Sequence, residues 1–272
     1  MSNWSRRLLA ALLFVPLVVT AGCLDYEAGI AFNKDMTGKA SFKMTMDLEP
    51  FVTGMIQTIG ARAGGPPPDD MMPMLKQQLS EQMGNGMIDV AQLKTKLPDG
   101  VTLVDSAQKF DELKLVMSFA FAFTDATKLP SISMPMIPRN GPMAAATAQD
   151  MKPFENLQFV DDGKTLTITT KPKPVETPSA DPEKAKADAA AATSALKDAK
   201  AQLEQLGMGD LLKNANLRVA FRFDVPQTVV EHNAPKKDGQ SYIWEMKLDS
   251  MASMDSLDKM PEPPKINLKI KK

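Results

Sequence analysis

The sequence has few of the residues that stabilise folds through disulfide bonds or metal ions: its 272 residues include one cysteine and one histidine. A single cysteine cannot form a disulfide within the chain, so burial of apolar side chains must stabilise the fold. One cysteine and one histidine are also too few for the ligand clusters that bind zinc. We therefore expect no metal site of that kind.

The chain also lacks an excess of charge of either sign, with 32 Lys and Arg against 33 Asp and Glu. No basic stripe is present, so we expect no nucleic-acid partner. There is no Gly-x-Ser-x-Gly pattern, and Gly84-Asn85-Gly86 neither follows a strand nor matches a phosphate-binding loop. We expect His232 at a hairpin end rather than in a catalytic triad. The sequence thus predicts a protein that is not an enzyme, with no catalytic residues and no cofactor.

What the sequence does contain is an export signal that ends in its one cysteine. Arg6 and Arg7 precede an uncharged run over residues 8–19, which is shorter than the roughly 20 apolar residues of a membrane span. Small residues then lead to Cys23, an order typical of a bacterial lipobox, in which the thiol receives a diacylglycerol and acyl chains such as palmitate are added. The alternative is an ordinary signal peptide with an incidental cysteine. We predict a signal peptide over residues 1–22 and a lipidated single domain over residues 23–272.

The residues after Cys23 indicate in which membrane a lipoprotein is finally anchored. Leu24 stands at the position where an aspartate would retain a Gram-negative lipoprotein at the inner membrane, and the aspartate, Asp25, comes one place later. The sequence therefore predicts a lipid-anchored protein of the cell envelope. It favours the periplasmic face of the outer membrane over the inner or plasma membrane.

Alternation of apolar and polar residues predicts antiparallel strands. Residues 39–48 alternate strictly, and similar alternation recurs at 111–123, 216–225, 240–249 and 265–271. Turn-rich segments at 33–38, 161–164 and 236–239 join strands as hairpins. Strands segregated from helices indicate an α+β fold: an antiparallel β-sheet built from hairpins, with a helical insert and one long Ala-rich helix.

Three other segments interrupt the strands. A helical insert over residues 49–97 holds three predicted helices, at 49–62, 70–83 and 89–97. Residues 130–153 form a loop rich in Pro, Met and Ala that we expect to be mobile or wrapped on the surface. Residues 181–206 form a long helix whose Ala and Leu residues repeat at heptad spacing. That helix is either a coiled-coil arm or a surface helix on its own sheet, and its small side chains favour the second interpretation because they bury little area.

Methionine is abundant, with 20 residues. Met72, Leu75, Leu79 and Met83 share one face of the second predicted helix, and flexible Met-rich surfaces adapt to apolar ligands. We predict a candidate apolar ligand groove at these four residues. Methionine also fills gaps in ordinary cores, and clusters such as Met71, Met72 and Met74, or Met134 and Met136, could ligate Cu(I). The lack of a supporting histidine or second thiolate disfavours copper.

A pattern of strands and turns in the last third suggests a family. The pattern consists of Phe221–Pro226, Val229–Asn233, Asp238-Gly239 and Ile243–Leu248. It resembles envelope lipoproteins of the mycobacterial LppM type, and the opening hairpin after Cys23 is also similar. The resemblance implies an α+β lipoprotein domain in the envelope that handles lipids or glycolipids. Members of that group often end in a transmembrane helix, whereas residues 265–272 are predicted as a strand.

Two functions follow from these features. The first is a membrane-anchored envelope lipoprotein of non-enzymatic type that binds a lipid or another amphipathic ligand. The second is a structural or assembly accessory that docks another envelope protein through the helix at 181–206.

Overall fold

The computed structural model describes residues 24–63, 65, 70–84, 86–137, 150–171, 216–248 and 264–272. The strands in this part of the chain are β1 Leu24–Phe32, β2 Gly38–Asp47, β3 Val101–Asp111, β4 Lys114–Phe123, β5 Leu157–Asp161, β6 Thr165–Thr170, β7 Leu217–Asp224, β8 Val229–His232, β9 Lys236–Asp238, β10 Ser241–Leu248 and β11 Asn267–Lys271. The helices are α1 Glu49–Ala63, α2 Met71–Met83 and α3 Val90–Lys96, with a 3₁₀ turn at Ala126–Ser131.

The strands form two sheets that share one core. The larger sheet has seven strands in the order β3-β4-β2-β1-β7-β10-β9, and the smaller has the order β5-β6-β11-β8. Phe42, Phe119 and Phe223 of the larger sheet are buried in the same cluster as Ile168 and Leu268 of the smaller one. The period-two alternation of the strands explains this arrangement, because it gives each sheet one apolar face.

The larger sheet is mixed rather than antiparallel. β1 and β7 run parallel, with Leu24 opposite Leu217 and Ala31 opposite Asp224, whereas the other pairs are antiparallel. The expectation of an antiparallel sheet built from hairpins is therefore wrong for this pair. Alternation reports which face of a strand is buried and not its direction, and no hairpin joins these two distant segments.

A hairpin that the sequence pattern missed joins β3 to β4. Its turn residues Glu112 and Leu113 have φ values of 46° and 65°, and their strands pair directly from Asp111 opposite Lys114. Two residues with positive φ are characteristic of a type I′ turn, which normally takes Asn or Gly. Because neither is present, the sequence pattern indicated one continuous segment at 111–123, whereas the chain turns at Glu112 and Leu113 and β3 precedes that turn.

Asn233 joins the two sheets through its side chain. Its Oδ1 accepts hydrogen bonds from the indole Nε1 of Trp244 at 2.9 Å and from the backbone N–H of Asn267 at 2.8 Å. Its Nδ2 donates to the carbonyl oxygen of Lys265 at 2.7 Å. Trp244, buried against Phe223, is thereby tied to the smaller sheet. The pattern that suggested LppM-type lipoproteins thus includes a pair of residues that holds the sheets together.

The helices α1, α2 and α3 coincide with those predicted within residues 49–97. In the segment 130–153, the described ends are partly inside the protein: Ile132 and Met134 are fully buried and Met134 pairs with Met151, whereas Asp150 and Lys152 are exposed. Residues 138–149 lie outside the described part of the chain. The predicted signal peptide, Cys23 and the long helix at 181–206 also lie outside it.

Candidate functional site

The sheet begins at the first residue after the predicted lipidation site. Leu24 pairs with Met46 of β2 on one side and with Leu217 of β7 on the other. Its backbone N–H also donates to the carbonyl oxygen of Asn216 at 2.8 Å. Cys23 itself lies outside the described residues, but its neighbour is already a paired residue of a central strand.

A charged network lies on the outer face of the sheet beside this point. The guanidinium of Arg218 contacts Asp25 at 2.7 Å, Glu27 at 3.2 Å and Glu245 at 2.6 Å, so one cation joins β1, β7 and β10. The hydrogen bond to Glu245 is the largest of the contributions that raise the pKa of Arg218. The same bond lowers the pKa of Glu245, and Lys247 at 3.4 Å lowers it further. These ion pairs hold the first residues of β1 in place beside β7.

Helices α1 and α2 form a small hydrophobic cluster of their own. Its buried members are Val52, Ile56 and Leu113. Leu113 comes from the β3–β4 turn, and its carbonyl oxygen accepts a hydrogen bond from the backbone N–H of Leu48 at 2.8 Å. The helix pair thus contacts the sheet through this turn, and Leu48 and Phe110 pack against both this cluster and the main core. Sequence reasoning did not identify Leu113, because the turn carries no recognisable turn residue.

The four predicted groove residues are divided between the two clusters. Met72, Leu75 and Leu79 are half-buried and pack against the small cluster, whereas Met83 is buried in the main core. Met74, on the same helix, is 64% exposed. The structure therefore brings three of the four residues together on a partly open helix pair and places the fourth inside the protein.

The segment after α2 is held to β3 by one side chain. The Oε1 of Gln108 accepts hydrogen bonds from the backbone N–H groups of Met87 and Ile88, both at 2.8 Å, and its Nε2 donates to the carbonyl oxygen of Ile88 at 3.0 Å. Gly86 has a φ of 77°, and a Cβ there would lie 2.8 Å from the same Oε1. The side chain of Gln108 thus pairs with backbone groups that would otherwise need a neighbouring strand, and it holds the segment after α2 against β3.

The methionines considered as copper ligands differ in burial and in the cluster against which they pack. Met134 is fully buried in the main core, and Met136 packs against it and pairs with Ile88. Met71 and Met72 pack against the small cluster. Within the described ranges, no group of three or more His, Cys, Asp or Glu residues is arranged to hold a metal ion.

His232 and Tyr26 are the remaining candidates for chemistry. The ring of His232 lies edge-on to Tyr242 at 4.8 Å, and its Nδ1 accepts a hydrogen bond from the backbone N–H of Ala234 at 3.2 Å. The Tyr26 hydroxyl donates to the carbonyl oxygen of Pro153 at 2.6 Å. Burial, aided by the charge of Glu155, raises the pKa of Tyr26, so its hydroxyl stays protonated. Both side chains make structural contacts.

Among the helices of the described residues, none has the length and apolar character to cross a bilayer.

Comparison with solved structures finds three matching chains. The chain is similar to the folded domain of the LppM protein of Mycobacterium tuberculosis, determined by NMR, with 8% sequence identity and a TM-score of 0.40. The alignment covers 92% of this chain and 91% of that one. No protein-family model matches the sequence, and no curated protein matches it. At this level of similarity the chain is not placed in a family.

Proposed function

We propose that this chain is a non-enzymatic lipoprotein of the bacterial cell envelope. In this proposal Cys23 carries the lipid anchor, and the helix pair α1–α2 binds the acyl part of a lipid or of another amphipathic molecule. The order of Arg6, Arg7, the apolar run and the one cysteine supports the anchor. The position of Leu24 favours the periplasmic face of the outer membrane as the destination.

The separate cluster of the helix pair is the observation that carries the ligand proposal. Among the side chains that the structure describes there, Val52, Ile56 and Leu113 are buried, and Met72, Leu75 and Leu79 of α2 are half-buried. Half-buried side chains lose less apolar contact than fully buried ones when two elements separate, so this face of α2 can open at lower cost than the main core. Its methionines can then repack around an acyl chain, since the thioether side chain is flexible and unbranched.

Native mass spectrometry of the mature chain with Cys23→Ser tests this proposal without interference from the anchor. We expect the purified protein to retain a lipid or to take up added phospholipid. Replacing Leu75 and Leu79 with Gln should weaken uptake about tenfold or more, because each substitution removes apolar area worth on the order of 1–2 kcal/mol. Val160→Gln and Val230→Gln are matched controls on the smaller sheet, where both valines are at least half exposed.

The outcomes separate the two functions. Failure to retain or take up lipid in the folded protein would contradict the ligand proposal. So would unchanged uptake by the Leu75 and Leu79 variant. A stoichiometric envelope protein crosslinked to the chain in cells, with no lipid bound, would instead favour the role of an assembly accessory.

A further inference from the structure

The anchor and the sheet are separated by a single peptide bond. Consecutive Cα atoms lie about 3.8 Å apart, and Leu24 is already bonded to β2, to β7 and to Asn216. Asp25 is held by Arg218 at 2.7 Å. No flexible linker therefore lies between Cys23 and the central strand, and a lipid on that cysteine would constrain the position of the whole sheet.

Several chain segments meet at the same end of the sheet as Leu24. β2 ends there, the β3–β4 turn lies there because Asp111 and Asp47 both pair with Lys114, and α1 begins there at Glu49. We call this the anchor end, defined by Leu24, residues 46–49 and residues 110–114. The opposite end of β1 is its turn to β2, at residues 33–37. Because β1 has nine residues and a strand rises about 3.3 Å per residue, the two ends lie roughly 30 Å apart.

The anchor end carries a partly exposed apolar rim. Leu24, Met46, Leu48 and Phe110 pack against the main core but are only half-buried. The charged groups around them have both signs: Lys109 pairs with Asp111 at 2.8 Å, and Lys114 lies beside Asp47 in the register. The part of this surface that the structure describes has no basic patch to attract anionic headgroups, so its contact with a bilayer would depend on the tether and on the apolar rim.

We propose that the anchor end rests on the lipid bilayer and that the protein stands upright on it, with the β1–β2 turn pointing into the aqueous compartment. This inference rests on the proposed lipidation of Cys23. It places the start of α1 and the β3–β4 turn at the headgroups. The helix pair, which Leu113 attaches to that turn, then lies where acyl chains are within reach.

Site-specific fluorescence quenching tests the orientation in the full-length, acylated protein. Acylation consumes the thiol of Cys23, so a cysteine introduced elsewhere is labelled uniquely. Lys114→Cys places the dye at the anchor end and Lys34→Cys places it in the β1–β2 turn; both lysines are exposed. The labelled proteins are reconstituted into phosphatidylcholine vesicles that contain lipids with a nitroxide on the headgroup. We expect fractional quenching at position 114 to exceed that at position 34 on the order of fivefold, because the two sites differ by about 30 Å in height.

The N-terminal peptide of each preparation is analysed by mass spectrometry, so that failure of the anchor is separated from failure of the orientation. Equal quenching at the two positions, or stronger quenching at position 34, in protein that carries the acyl group overturns the upright orientation and leaves the anchor intact. A free thiol on Cys23 overturns the anchor, and the orientation with it.

Discussion

Replacing Leu113 with alanine should detach the helix pair from the sheet while the sheets remain folded. Leu113 is 1% exposed and is buried with Val52 and Ile56 in the α1–α2 cluster. Burial of a leucine at such a site contributes about 2–4 kcal/mol, including the cost of the cavity that alanine leaves. Since Leu113 belongs to this cluster and not to the main core, most of the loss should fall on α1 and α2.

Hydrogen exchange measured by mass spectrometry reports this local effect. A loss of about 2 kcal/mol raises the population of the locally open state about 30-fold, so the amides of α1 and α2 should exchange faster by about that factor. Exchange in β4 and β7 should change much less, because their opening depends on the main core. Lipid uptake should fall in parallel if the helix pair is the binding site.

Leu268→Ala is the matched control. Leu268 is fully buried in the main core on β11, and the substitution removes the same atoms. It should lower the global free energy of unfolding without selectively exposing α1 and α2. Equal acceleration of exchange in the helices and the sheets by Leu113→Ala, or unchanged exchange in the helices, would show that Leu113 does not hold the helix pair.

Three further changes test contacts that position the sheets and the anchor end. Asn233→Ala leaves the buried indole N–H of Trp244 without its acceptor and should lower the free energy of unfolding by about 2–3 kcal/mol, measured by urea denaturation; a loss near zero would contradict its role between the sheets. Gln108→Ala removes three hydrogen bonds and should cost about 2 kcal/mol in the same assay. Gln108→Glu should also destabilise the fold, because a carboxylate oxygen would then face the carbonyl oxygen of Ile88 in place of the Nε2 donor. Arg218→Gln should raise the pKa of Glu245, observed by NMR titration of its carboxyl carbon. Arg218 lowers the pKa of Glu245 in the folded protein. The ion pair therefore adds to the free energy of unfolding at pH values above the pKa of Glu in the unfolded chain, about 4.3, and this addition is lost as the pH falls through the pKa of Glu245 in the folded protein. At this exposed site the contribution is below about 1 kcal/mol, and an unchanged pKa would argue against the ion pair.

Local patterns in the sequence predicted most of the individual elements. The strict alternation that ends at Leu48 identified β2, and the stripe of Met72, Leu75 and Leu79 identified α2. Both signals are properties of neighbouring residues, because a half-buried strand or helix repeats its apolar positions along the chain. The Asp-Gly turn at Asp162 and Gly163 identified the β5–β6 hairpin in the same way, since Gly163 adopts a φ of 83°.

Relations between distant residues were not predictable from those patterns. The parallel pairing of β1 with β7 depends on how the chain returns to the sheet, which alternation does not encode. The turn at Glu112 and Leu113 adopts positive φ without glycine. Burial of Leu113 between the sheet and α1 offsets that strain, so the signal lies in tertiary packing. For the candidate groove, the helix face was predicted, but the separation of Met83 from the other three residues was not.

The mass of the N-terminal peptide shows whether Cys23 carries the anchor. Protein extracted from the membranes of cells that express the full-length chain is digested, and its N-terminal peptide is analysed by mass spectrometry. We expect a peptide that begins at Cys23 and carries a diacylglycerol on the sulfur. A peptide that begins elsewhere, or one that begins at Cys23 with a free thiol, would rule out the lipid anchor.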